Sequence, residues 1–216
     1  MKVVSAPPVW KFRWYALQLT GICIIVFLLS QVFPDLFYGS FVLSRDSVLR
    51  MPWTIITSMF MHSGFPHLYS NMFALAVFGS LFEKQAGSRN FLILFFAGGI
   101  VAGLAGLAFY GSLLGASGAI MAVLGCFAVF RPKSTVFVLG VPMPVLAALF
   151  VWSGLDLAGV FYPDNVAHIS HLAGMAFGGS YGLWLMRIHP EPKKEKGKPV
   201  LTDKEVEDWE EQYMKE

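Results

Sequence analysis

Six long apolar runs fix the solvent of this chain before any motif is considered. They cover about Trp14–Phe37, Leu68–Phe82, Phe91–Tyr110, Ser117–Phe130, Thr135–Phe161 and His168–Met186. A helix needs roughly 20 apolar residues to cross a hydrocarbon core of about 30 Å, and most of these runs meet or approach that length. Apolar residues make up 56% of the chain and charged residues 14%, against about 45–50% and about 25% in soluble domains. A soluble fold cannot hide that much apolar surface, so the expectation is an all-α, polytopic membrane protein. The first run follows Lys11 and Arg13, as a signal peptide would, but no small-residue cleavage site stands out. It is read as a membrane helix.

Lysine and arginine set the orientation. With six spans and the N-terminus inside, 14 of the 16 Lys and Arg fall in inside segments, and only Arg45 and Arg50 fall outside. The chain then divides into a cytoplasmic N-terminus (1–13), a membrane domain (14–187) and a charged cytoplasmic tail (188–216). Within the tail, Trp209 and Tyr213 fit one side of a short helix. The net charge of +2 includes no basic patch of the kind that binds nucleic acid. Cys23 and Cys126 lie inside apolar runs and read as small buried hydrophobes.

The fourth run is too short. Its 14 residues span about 21 Å as a helix. Arg131 and Lys133 pin its inner end, so its outer end lies about 10 Å below the membrane surface, given the same rise per residue. The preceding segment, YGSLLGASG, must dip in to meet it. Irregular backbone at that depth survives only inside protein or beside a water-filled cavity. The expectation is an outward-opening polar pocket with Ser117 at its floor, on a helix N-terminus whose unpaired amides favour negative charge. Gly115 and Gly118 permit a tight turn and close approach there. On its own Ser117 also reads as packing, because small residues let membrane helices approach.

Four of the five histidines, His62, His67, His168 and His171, sit near the outer ends of the second and sixth runs. Ionisable groups in membrane spans are costly and are functional candidates by default. His171 shares a helical face with Gly174 and Gly178, three and seven residues on. Those glycines allow close packing against the fourth helix. His67 and Asn71, four apart, put an imidazole and an amide on one face of the second span. A hydroxyl, a base and extra donors are the set that acyl transfer uses. Each group also has a plainer reading: His67 with Asn71 as interhelical glue and His168 as an interfacial cap. Asp156, near the outer end of the fifth run, is in principle able to orient His171, but a helix-end or loop role is the expectation.

The segments PWTIITSMFMHSGFPHLYSNM, FEKQAGS, GASGAI and AHISHLAGMAFG together resemble the rhomboid family of intramembrane serine proteases. The resemblance covers roughly 51–187 and implies a six-transmembrane-helix bundle with a short fourth helix starting inside the membrane. It puts the nucleophile on Ser117 and the base on His171, which has the family's glycines at plus three and plus seven. It puts oxyanion donors on His67, Asn71 and the Ser117 amide. His62 falls on a further polar position that holds water or the first loop. Trp53 is followed by Thr54 where many members carry arginine, which bears on the anchoring of that loop.

The implied activity is cleavage of membrane-protein transmembrane segments near their outer ends. No metal or organic cofactor is implied. Partners are transmembrane substrates and lipid, with no nucleic acid. Substrate admission is expected sideways, past the fifth span and the loop at 161–163, with Pro142 and Pro144 weakening that span. The expected location is a prokaryotic plasma membrane, multi-pass, with both termini cytoplasmic. The alternative is a catalytically silent relative that binds membrane helices. A metalloprotease is disfavoured because no His-Glu-x-x-His occurs.

Overall fold

The computed structural model describes residues 11–138, 140–162 and 164–188. The charged tail, its expected short helix and Pro163 lie outside the described residues.

Helix α1 (Tyr15–Val32) stops before Pro34, which opens α2 (Pro34–Phe41). A proline is tolerated in a first helical turn and breaks a helix interior, so the first apolar run is divided rather than continuous to Phe37. Strand β1 (Leu43–Ser44), α3 (Thr54–Thr57) and a 3-10 turn (Ser58–Phe60) form the long first loop. The second run is helical from α4 (Phe65–Ala74) through a π turn (Leu75–Gly79) to α5 (Ser80–Ala86). Gly87, at φ 85°, turns the chain into α6 (Ser88–Leu107). Strand β2 (Ser112–Leu113) precedes α7 (Ser117–Phe130), whose bounds match the short fourth run.

The fifth run departs from expectation. Thr135–Val138 and Val141–Pro144 form an antiparallel ribbon, β3–β4, and α8 spans only Val145–Gly159. Pro142 and Pro144 therefore lie in β4 and do not weaken a helix. The second ribbon pairs Leu43 with Leu113 and Ser44 with Ser112, tying the first loop to the segment ahead of Ser117. The fold is mostly helical, with these two small ribbons that the all-α expectation lacked. Helix α9 (His168–Ile188) completes the described chain.

α1 and α6 are long and apolar enough to cross a membrane, and α7 and α8 are shorter apolar helices. α7 is the central element, buried along nearly its whole length against α6 and α9. A helix that is apolar all round belongs inside. The distribution of side chains is inverted relative to a soluble protein. Large apolar groups such as Ile25, Leu28, Phe73, Phe150, Leu155 and Leu183 face outward, whereas His62, Asn71, Glu83, Asn90, Asp156 and His171 are buried. An apolar surface of that extent suits a lipid environment.

Candidate active site

Ser117 is the first residue of α7, after Gly115 at φ 116° and Ala116. The positive φ strains any residue with a Cβ. The Gly115 amide donates to Ser58 O at 2.9 Å, which moors this turn to the first loop. A Cβ on Gly115 would lie 2.7 Å from His67 Nε2 and 3.9 Å from Ser117 Oγ, so the imidazole and the hydroxyl flank this glycine.

α7 and α9 touch backbone to backbone. A Cβ on Gly174 would collide with Gly118 O, and one on Gly178 with Ala122 O. Ser117 precedes Gly118, and His171 lies one turn before Gly174 on the same face. Both groups thus stand at the same end of the glycine seam, with His171 buried. Neither Ser117 Oγ nor His171 Nε2 makes a hydrogen bond among the described residues. Such bonds are commonly long before substrate arrives and tighten in the complex.

His67 Nδ1 lies 3.1 Å from Ser63 Oγ and accepts from the Ser63 amide at 3.5 Å. An accepting Nδ1 puts the ring hydrogen on Nε2, the nitrogen above Gly115. Asn71 Nδ2 donates to His67 O at 2.8 Å, which uses one of its two hydrogens. His62 is fully buried, its ring 5.1 Å from that of His67. Its carbonyl accepts from Tyr38 Oη at 3.1 Å, and Trp53 Nε1 donates to Ser40 O at 2.8 Å. The first loop is therefore anchored although Thr54 follows Trp53.

A cavity of about 40 Å³ lies beside Ser117, lined by Ser58, Ser170, Leu43, Met59 and the glycines of α6 and α7 among others. It is of mixed polarity, and His67, Asn71 and His171 lie outside its lining. The expected single recess joining all these groups is thus only partly seen.

Sequence reasoning ranked a helix-end or loop role for Asp156 above contact with His171. It lies in the last turn of α8, as expected, and its side chain is turned to α9: Oδ1 lies 2.8 Å from Nδ1 of His171 and 2.8 Å from Nδ1 of His168. His168 Nε2 also meets Asp164 Oδ1 at 3.1 Å. The available signal was that Asp156 is the one charged residue of an otherwise apolar run. Asp156, His168 and His171 each offer one donor atom within 4.8 Å of the others, the one such grouping among the described residues.

The rhomboid-domain family model matches residues 49–188, a stretch that holds every group described above. The chain belongs to the rhomboid family. Among its relatives, the mitochondrial Rhomboid protein 1 of Saccharomyces cerevisiae is 30% identical over 84% of this chain and 57% of its own length. Rhomboid protease GluP of Bacillus subtilis is 32% identical over 59% of this chain and 25% of its own. Rhomboid protease GlpG of Haemophilus influenzae is 24% identical over 77% of this chain and 88% of its own. The chain thus spans little more than half of the yeast rhomboid and a quarter of the Bacillus one. The family comprises integral membrane proteins and includes serine proteases. With mitochondrial proteins of yeast and human among the relatives, the matches do not support the expected prokaryotic membrane.

Proposed function

We propose that this chain is an intramembrane serine endopeptidase that cuts transmembrane segments near their outer ends. The observation that carries the reading is the Gly118–Gly174 contact, which sets Ser117 and His171 at one end of a common seam. In this mechanism Ser117 Oγ attacks the scissile carbonyl and its proton passes to His171 Nε2. The oxyanion receives hydrogen bonds from the Ser117 amide, the second Asn71 hydrogen and His67 Nε2–H. Each such donor is worth about 3–4 kcal/mol, or roughly 10²–10³ in rate. The imidazolium then protonates the leaving amine, and water hydrolyses the acyl-enzyme.

A substrate helix buries its carbonyls in its own hydrogen bonds, so the cut segment must unwind, and residues of low helix propensity favour that. The proposed topology is the six-span arrangement, with both termini on the lysine-rich side. The lipid-facing α8 is the element past which a substrate is admitted.

The experiment compares the wild type with Ser117→Ala and His171→Ala on a membrane-embedded model substrate, with fluorophosphonate labelling in parallel. Both variants should fold, and both should lose cleavage. Labelling should vanish in Ser117→Ala. Full activity in either variant ends the assignment of the corresponding group.

A further inference from the structure

Helix α8 carries one charge, Asp156, and buries it. Val145 and Ala148 are the other buried residues of this helix, and both lie near its start. Toward the outer end, Leu155 and Leu157 face outward while Asp156 turns in to α9. Burying a carboxylate is costly unless it is paired and hydrogen-bonded. The partners here are two imidazole nitrogens on α9, both at 2.8 Å from one oxygen. Oδ2 is buried with no hydrogen-bond partner. The carboxylate is therefore committed to the two histidines and to nothing else among the described residues.

We propose that Asp156 is the positioning residue of His171, completing a Ser117–His171–Asp156 arrangement in which the carboxylate is delivered by α8. This rests on the protease reading. A carboxylate oxygen accepts, so the nitrogen facing it carries a hydrogen. The Asp156–His171 contact fixes His171 as the Nδ1–H tautomer and leaves the Nε2 lone pair to take the serine proton. The same charge stabilises the imidazolium formed when that proton arrives. His168 shares the oxygen and is held on its far side by Asp164, which confines the carboxylate between the two rings. A base carried by α9 and its orienting group carried by α8 stay in register only while α8 remains docked. A metal ion bridging the three donors is the competing account. The 2.8 Å contacts are of ordinary hydrogen-bond length and need no ion.

The test uses the purified full chain in nanodiscs. Asp156→Asn should lower kcat about 100-fold while KM stays within about twofold, the signature of an interaction made in the transition state. Asp156→Glu, which keeps the charge, should recover at least about tenfold of that loss. In the wild type, ¹⁵N NMR of labelled histidines, assigned by difference with His171→Ala, should show His171 as Nδ1–H. Chelation should leave cleavage unchanged. Wild-type kcat in Asp156→Asn, a loss confined to KM, an Nε2–H tautomer at His171, or inactivation by chelator overturns the proposal. If Asp156→Asn does not fold, the wild-type tautomer decides. Ser117→Ala and His171→Ala run alongside. If they are inactive while Asp156→Asn cleaves normally, only the role of Asp156 fails; if they cleave, the protease reading fails.

Discussion

A methyl group on Gly178 would occupy the space of the Ala122 carbonyl oxygen. The obstacle is helical backbone, which cannot rotate aside as a side chain can. Overpacking of this kind costs about 1–3 kcal/mol, and Gly178→Ala should fall at the upper end. Its unfolding midpoint in a denaturing-detergent titration should drop well below that of Gly179→Ala, whose added methyl would meet its nearest neighbour, Val129 Cγ2, at 3.8 Å. Equal midpoints would mean that the α7–α9 seam gives way easily.

Gly115 couples backbone strain to the proposed oxyanion donors. Its φ of 116° and the 2.7 Å approach of His67 Nε2 leave no room for a Cβ. Gly115→Ala should displace the imidazole and cut kcat by about 10²-fold, the scale of one lost donor. Steady-state kinetics on a membrane substrate provide the check, and an unaltered kcat would remove His67 from the oxyanion set.

Glu83 is fully buried at the start of α1. Its carboxylate accepts from the amides of Arg13 at 3.3 Å, Tyr15 at 3.0 Å and Ala16 at 3.0 Å, and from Ser88 Oγ at 2.5 Å. The first amides of a helix lack intrahelical partners, and here a residue from α5 supplies the cap. Each buried donor left unpaired costs about 1–3 kcal/mol, so Glu83→Ala should destabilise the protein by about 3 kcal/mol. kcat of the fraction that remains folded should be unchanged, because the hydrogen-bond partners of Glu83 among the described residues all lie outside the proposed site. Detergent unfolding, paired with kinetics per labelled active site, separates the two effects.

The loop between α8 and α9 has its own acid dependence. Asp164 accepts the Val166 amide at 2.8 Å and contacts His168. The Val166 amide, seconded by the His168 contact, holds the carboxyl below its ordinary value of 3.8. A depressed folded-state pKa gives a contribution that is present above the unfolded value and lost as pH falls through the folded one. The contact of Asp164 with the Val166 amide should therefore persist across neutral pH and weaken only in strong acid. ¹³C NMR of the Asp164 carboxyl should give a midpoint below 3.8; a midpoint above it contradicts the contact.

Much of this site was legible in the chain because helical periodicity is a local property. His171 with Gly174 and Gly178, and His67 with Asn71, share faces by spacing alone. The short run between Ser117 and the charged stop at Arg131 fixed α7 at both ends. The β3–β4 ribbon was not legible: an apolar run reads alike as strand or helix, and only the pairing of Val136 with Met143 across the turn distinguishes them.

By itself the sequence determined the solvent, the helical class and which residues were chemically able to act. Apolar run length and spacing follow from bilayer thickness and helix rise, which are properties of consecutive residues. Tertiary structure alone decided what each buried polar group meets. Glu83 caps a helix 67 residues earlier at Ala16, and Asp156 reaches His171 15 residues later. Partners so distant in the chain are chosen by packing: a buried carboxylate must find donors, and the helices brought alongside it determine which ones it finds.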